Sequence, residues 1–232
     1  EGEKTEYDHK MREREAKVRK RKRKHGGKTR KPPEVGPRDT DQYNFTDPQS
    51  RIMKNSTNDG FDQHYNVQAA VEQSSMLIVA TSLSNHPNDK QEAEPTLRAL
   101  PVELGKPNAA ALDNGFFSEA NINFMDGLGI EPYIATGREA HHKDLNVLLG
   151  KLPEEPAPDA SPKEKMAYKL ATKIGHVIYR LRKCTVEPVI GIIKEIMGFR
   201  QFSWRGLKKV AGLWCLVCLA FNLKRMHSLM TG

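Results

Sequence analysis

The sequence predicts an α/β fold in which a mixed β-sheet is flanked by helices. Two apolar segments joined by a short polar turn, residues 65–71 and 76–83, predict an antiparallel hairpin. A strand, helix and strand in succession over residues 109–136 predict a parallel pair, because such crossovers join parallel strands. Two apolar segments near the carboxyl terminus predict helices that close the domain.

The chain begins with a basic segment that predicts a helical arm. Residues 3–24 are rich in good helix formers but have no obvious apolar face, and Gly26 and Gly27 end the run. The first 31 residues hold 14 Lys and Arg against 6 Asp and Glu, which accounts for the whole net charge of +8. Such an arm favours sequence-independent binding to phosphates. The alternative is a solvated charged helix or tail.

The arm and the linker that follows it are predicted to form a region separate from the globular domain. Proline and glycine are frequent in residues 26–43, so this segment is interpreted as a linker without a core. The domains are therefore predicted as 1–43, the basic arm and linker, and 44–232, the α/β domain. Because the chain begins at Glu1 without Met, we expect a segment upstream of it.

The hairpin and the helix after it are predicted from periodicity and capping residues. Tyr65, Val67, Ala69 and Val71 alternate with more polar residues, as in a half-buried strand, whereas residues 76–83 are apolar on both faces. A polar loop follows. Residues 91–100 are predicted to be a helix, with Asn88 or Asp89 as the N-cap and a disturbance at Pro95.

The crossover unit places an acidic residue at the end of a predicted strand. Residues 109–112 form that strand, and Asp113 follows it before the turn Asn114-Gly115. Ser118 is the predicted N-cap of a helix that ends at Gly127 or Gly129. A second strand is predicted at 132–136, and residues 137–161 are interpreted as an irregular insertion.

The closing helices begin with a strong signal. Ser161 and Glu164 form a predicted capping box, from which a helix should run from 162 to about 183 with Met166, Leu170, Ile174, Val177, Ile178 and Leu181 on its apolar side. Pro188 predicts a kink or a new helix start near residues 185–187. The last helix is predicted at about 205–227, and its apolar part, 210–223, is shorter than the roughly 20 residues that cross a bilayer.

Two carboxylates are candidates for catalysis and metal binding. Asp113 ends a buried strand, where α/β sheets place their ligand chemistry, and the alternative is an Asx-turn residue that bonds the next backbone N–H. On an ideal helix Glu187 lies on the same face as Tyr179, Lys183 and Lys194, since the four residues fall within about 80° around the helix axis. Cations beside a carboxylate suit a metal site that acts on a phosphodiester, although a surface ion-pair cluster that includes Arg180 and Arg182 is the alternative.

Other conspicuous residues are predicted to have structural roles. Cys215 and Cys218 lie in an apolar helix without a second pair, so we expect buried core cysteines rather than a metal site. His141-His142 is not expected to bind a metal, and Trp204 and Trp214 are expected to pack in the closing helices. Three cysteines and no signal-peptide pattern predict a cytoplasmic protein without a membrane segment.

Five segments together resemble bacterial insertion-sequence transposases of the DDE class, which have a ribonuclease-H-like core. The resemblance covers about residues 44–226, and the segments occur in the family's order: TDPQSRIMK (46–54), GFDQHYNVQAAVE (60–72), SNHPNDKQEAEPTL (84–97), ALDNGFFSEANI (111–122) and RKCTVEPVIGIIK (182–194). The resemblance therefore specifies the predicted fold as a ribonuclease-H-like mixed sheet flanked by helices.

The resemblance implies roles for particular residues. Asp113 corresponds to the family's second catalytic Asp, and Glu187 to its catalytic Glu in a Tyr-Arg-Glu-Lys pattern. In this chain Lys183 stands where the family has Arg, and Tyr179 is displaced by one residue. The implied DNA-binding residues are Tyr179, Arg180, Arg182, Lys183 and Lys194. The implied chemistry is cleavage and transfer of DNA strands by three carboxylates that hold two Mg²⁺ ions, with Mn²⁺ as a substitute.

One catalytic acid of the family has no counterpart in the sequence. The family's first Asp lies in a strand before the hairpin, in a short motif that residues 1–44 do not contain, and Asp47 and Asp59 are poor substitutes in turn-like segments. The resemblance therefore implies a transposase fragment that is inactive alone, acts on double-stranded element ends and target DNA, and forms a homodimer there. The alternatives are a catalytically inactive DNA-binding remnant and a structural protein with a charged tail.

Overall fold

The computed structural model describes residues 2–21, 32, 43–54, 60–137 and 154–231, in two units that divide between Tyr43 and Asn44. In the first unit, helix α1 spans Gly2–Arg21, which confirms the predicted helical arm. Most of the predicted linker and of the predicted insertion lies outside the described residues, as do Asp59 and the pair His141-His142.

The second unit begins with two antiparallel hairpins. The second of them, β3 (Asn66–Val71) with β4 (Ile78–Ser84), is the predicted hairpin, and its register shifts between Ala70 and Val71. The first hairpin, β1 (Arg51–Lys54) with β2 (Phe61–His64), is not expected from the sequence. A single turn of 3₁₀ helix, capped by the Asn88 side chain, precedes the short helix α2 (Ala93–Arg98).

The crossover unit follows its prediction closely. Strand β5 (Ala109–Leu112) leads through a 3₁₀ turn to helix α3 (Glu119–Leu128) and then to strand β6 (Glu131–Ile134), which pairs with β5 in parallel. Ser118 caps α3 by accepting from the Asn121 backbone N–H. Gly129 ends the helix at φ +66°, a left-handed conformation that glycine adopts without strain.

The long closing helix is divided in two, which corrects the prediction of one helix from 162 to 183. Helix α4 (Pro162–Ala171) has the predicted capping box, but Thr172 then caps a new helix, α5 (Lys173–Gly191), by accepting from the Gly175 N–H. The break changes the phase of the apolar side, and Ile174 and Val177 are therefore exposed rather than buried. The new start expected near 185–187 is wrong, because α5 continues through Pro188 and passes directly into a π-helical segment, Ile192–Ile196.

The last helix, α6 (Leu207–Thr231), packs against β4 along one side. Val210, Trp214, Val217, Cys218 and Phe221 are buried on that side, and the core around them includes Ile78, Val189 and Ile193. The Asn222 side chain also bonds both the N–H and the C=O of Ile78, at 2.9 and 2.8 Å. The expectation for Trp214 is confirmed, whereas Trp204 precedes the helix and is 48% exposed.

In the described part of the chain, the strands form three separate pairs and not one hydrogen-bonded sheet. A second core, built on Met125, Ile130, Ile134 and Met166, lies under the β5–β6 pair, apart from the core of the β3–β4 pair. Helix α5 contacts β3, β5 and β6, and so connects the two pairs. The chain is therefore an α/β protein with short sheets, and the expected single mixed sheet is not formed by the described residues.

No helix in the described part of the chain has the length and apolar character needed to cross a membrane.

Candidate active site

Asp113 lies where β5 ends and the next turn begins, as the sequence predicts. Its backbone is extended, and its carboxylate Oδ1 accepts from the Asn114 N–H at 2.7 Å, so that it caps the 3₁₀ turn 114–116. The side chain is 60% exposed. This bond runs to the backbone N–H of the next residue, as the structural alternative expects, and the second carboxylate oxygen, Oδ2, faces Arg182.

Glu187 lies on α5, and its carboxylate and that of Asp113 contact the same arginine. The Arg182 guanidinium lies 3.9 Å from Asp113 Oδ2 and 3.4 Å from Glu187 Oε1. Since one planar guanidinium reaches both groups, their nearest oxygens are within roughly 10 Å of each other. Two acids that are 74 positions apart in the chain therefore converge on one cation.

Arg182 differs in exposure from the acids that it contacts. Its side chain is 14% exposed, against 57% for Glu187, and the guanidinium lies over the Tyr179 ring at 5.5 Å from the centroid. Its Nε is buried and has no hydrogen-bond partner among the described residues. The side chain is therefore held on the inner side of the acids by packing as well as by charge.

The other predicted DNA-binding cations lie on the outside of the same region. Arg180 and Lys183 are exposed on α5, and Lys194 is exposed on the π-helical segment that follows it. The structure thus brings Tyr179, Arg182, Asp113 and Glu187 together and leaves these three cations on the surface. Whether any of these residues binds DNA stays a prediction.

Asp89 is a further acid beside this site that the sequence analysis considered only as a helix cap. Its Oδ1 accepts from Asn66 Nδ2 at 2.7 Å and from Gln68 Nε2 at 2.9 Å. A Cβ atom at Gly115 would lie only 2.7 Å from Asp89 Oδ2, so the turn after Asp113 packs directly on this carboxylate. The only signal in the sequence was that Asp89 lies in one of the five resembling segments.

Asp47, considered above as a substitute acid, is enclosed in a structural network. It is 8% exposed, and its carboxylate accepts from the Tyr65 hydroxyl and from the Gly206 N–H just before α6. Burial, reinforced by this hydrogen bond and by the Asp47 charge, raises the pKa of Tyr65 to about 12. Beside it, Gln49 Oε1 accepts from the Leu207 N–H. The TDPQSR segment therefore holds the beginning of the last helix.

The structure agrees in part with the predictions for cysteines and metal ligands. Cys218 is buried, and desolvation raises the pKa of its thiol to about 12, whereas Cys215 is exposed. Among the described residues, no group of three or more His, Cys, Asp and Glu side chains is placed to hold a metal ion. The two carboxylates at Arg182 offer oxygen ligands of the kind that Mg²⁺ prefers, but they are two and not three.

The carboxyl-terminal part of the chain matches a known protein family. Residues 155–227 match the family model described as a transposase DDE domain. This carboxyl-terminal third is therefore similar to a transposase DDE domain. It includes α4, α5 and most of α6, and so contains Arg182 and Glu187 but not Asp113. The resemblance to the DDE class is confirmed there. No curated protein and no solved structure matches the chain.

The family match supports a transposase-type function. A transposase acts on DNA, so the match also agrees with the predicted DNA partner, whereas the divalent metal stays a prediction. The match does not assign roles to individual residues.

Proposed function

We propose that this chain carries two of the three carboxylates of a transposase that cleaves and joins DNA strands at the ends of an insertion sequence. The observation that supports the proposal most is the convergence of Asp113 and Glu187 on the Arg182 guanidinium. One of these acids comes from the predicted strand end, and the other from the segment that matches the transposase DDE family.

In this proposal Asp113 and Glu187 would hold Mg²⁺, or Mn²⁺ in its place, through their carboxylate oxygens. Divalent ions supply charge stabilisation at the attacking and leaving oxygens of a phosphodiester. The protein contributes the position of the ligands: the Asn114 N–H orients Asp113, and α5 presents Glu187. The exposed cations Arg180, Lys183 and Lys194 would lie along the DNA backbone, where Lys and Arg neutralise phosphates.

We further propose that the domain is ribonuclease-H-like and that a strand with the first Asp completes it. The β3–β4 and β5–β6 pairs share α5 but not a hydrogen bond ladder, so among the described residues β3 and β5 each pair along one edge only. A strand inserted between them would join the two pairs into the expected mixed sheet. It would also bring a third carboxylate to Asp113, since acids at neighbouring strand ends meet at one edge of a sheet.

The proposal includes the setting in which the enzyme acts. It would work in the cytoplasm as a homodimer on double-stranded DNA, with the arm of residues 1–31 contributing sequence-independent attraction. Alone, the 232-residue chain should bind DNA and cleave it barely, because in-line transfer needs charge stabilised on both oxygens and two ligands hold the ions poorly.

A catalytically inactive DNA-binding remnant is the second candidate function. The observation that favours it is that the described residues bring only two carboxylates to Arg182 and form no three-ligand metal group. A remnant would keep the basic surface and the affinity for DNA, and the carboxylates would have no effect on any reaction.

Strand cleavage in an extended protein separates the two candidates. The protein would be extended by a segment that supplies the first Asp and incubated with labelled DNA that spans the flanks of the gene, with and without Mg²⁺. We expect Mg²⁺-dependent cleavage that Asp113→Asn and Glu187→Gln abolish. Asp126→Asn and Glu195→Gln, at exposed acids outside the site, are the matched controls and should cleave normally. Binding without cleavage in the extended protein would identify a remnant.

A further inference from the structure

The Arg182 side chain occupies the place between the two carboxylates that a shared metal ion would need. Its Nη1 faces Asp113 Oδ2 and its Nη2 faces Glu187 Oε1, so each acid directs an oxygen at the same guanidinium. A divalent ion shared by the two acids would need oxygens from both within about 2.5 Å. The guanidinium and such an ion would therefore draw on the same two carboxylates.

The Arg182 side chain is held in place by packing, but its hydrogen bonds are incomplete. The side chain is largely buried and stacks on Tyr179, which holds it between the acids. No described residue offers an acceptor to its buried Nε, and both ion-pair contacts are long for charge-assisted hydrogen bonds, at 3.9 and 3.4 Å. An arrangement with a buried unpaired donor is one that a competing interaction displaces more easily than a fully bonded one.

We propose that Arg182 is a positioning residue that neutralises Asp113 and Glu187 in the metal-free protein and competes with the divalent ion for them. This inference rests on the proposed metal site at the two acids. It assigns Arg182 a role different from that of the exposed cations: the guanidinium keeps two like charges together when no ion is bound. Once an ion takes the carboxylates, the released guanidinium has the planar donors that bind a phosphate, so it is available to DNA.

Mn²⁺ binding to the 232-residue chain in the absence of DNA tests the competition, with the free ion measured by electron paramagnetic resonance. Removing a unit positive charge a few Å from the site should tighten Mn²⁺ binding roughly tenfold in Arg182→Gln. Arg182→Met, which keeps the apolar stem that packs on Tyr179, should show the same gain. Arg182→Lys keeps the charge and should stay near the parent.

The matched control is Arg200→Gln. Arg200 is exposed and pairs with Glu195, an acid five positions away on the chain, as Glu187 is from Arg182. This variant removes the same charge and a similar ion pair, but its partner is Glu195 and neither of the two candidate acids, so its Mn²⁺ affinity should equal that of the parent. The gain in Arg182→Gln should also disappear when Asp113→Asn is added, because the ion would then lack one of the two acids.

Each outcome supports the competition or overturns it. Unchanged or weaker Mn²⁺ binding in both Arg182→Gln and Arg182→Met contradicts it, and so does a gain that persists after Asp113→Asn. The proposed function fails separately: if Asp113→Asn leaves cleavage by the extended protein intact, the acids are not catalytic even when Arg182 competes for an ion. If cleavage needs both acids but Arg182→Gln binds Mn²⁺ no tighter, the function stands and the role of Arg182 is wrong.

Discussion

Replacing Asp47 should show that this acid stabilises the fold and does not bind the metal. The carboxylate accepts from the Tyr65 hydroxyl at 2.8 and 2.7 Å and from the Gly206 N–H at 3.2 Å, and it is 8% exposed. Hydrogen bonds to a charged group contribute about 1.5–3 kcal/mol each, although such losses are not additive. Asp47→Ala should therefore lower the free energy of unfolding by about 3 kcal/mol.

Urea unfolding followed by tryptophan fluorescence provides the assay, since Trp214, on α6, is 4% exposed and lies in the core. A change of this size should lower Tm by roughly 6–12 °C in a unit of this length. Asp126→Ala, at an exposed acid on α3, is the control and should change stability by less than about 0.5 kcal/mol. Mn²⁺ affinity at pH 7 should be the same in both variants. An Asp47→Ala protein that is as stable as the control, or that loses Mn²⁺ binding, would refute this account.

Three further predictions follow from other contacts. The pKa of Tyr65 is about 12 in the folded protein, against 10.0 in the unfolded chain. Its contribution to stability is therefore complete below pH 10 and is lost as the pH rises towards 12. Alkaline unfolding should show this loss in the parent and not in Tyr65→Phe. Gly175→Ala should destabilise the chain by roughly 1–3 kcal/mol, since its Cβ would lie 1.9 Å from the Lys169 carbonyl oxygen. Gly191→Ala is the control and should not destabilise the chain, because no described atom outside its own helix lies within 4 Å of its Cβ. Deleting residues 1–31 should flatten the salt dependence of DNA affinity, and an unchanged slope would show that the arm does not bind the backbone.

The sequence predicts local elements well where periodicity and capping agree. The β3–β4 hairpin, the β5–α3–β6 crossover and the capping box at Ser161 are all formed, because each combines an apolar pattern with a specific turn or cap residue. The break at Thr172 was missed because an apolar stripe runs across it in the sequence. The signal was Thr172 followed three residues later by Gly175, whose N–H it caps and where the Lys169 carbonyl leaves no space for a Cβ.

The site was less predictable than the elements, since it depends on contacts between distant segments. Asp113 and Glu187 could be named as candidates, but no pattern in the sequence indicates that Arg182 lies between them. Arg182 appeared equivalent to Arg180 and Lys183, its neighbours on the same helix. The inward position of Arg182 depends on how α5 packs, since this helix contacts β5 and β6 and places Val189 in the core of the β3–β4 pair.

The central claim, that Asp113 and Glu187 share one divalent ion, is tested most directly by a double-mutant cycle on Mn²⁺ affinity. Asp113→Asn, Glu187→Gln and the double variant would be titrated in the 232-residue chain and compared with the parent. Two ligands of one ion should couple, so that the double variant loses little more affinity than either single variant. Losses that add independently, or single variants that bind Mn²⁺ as the parent does, would contradict the shared site.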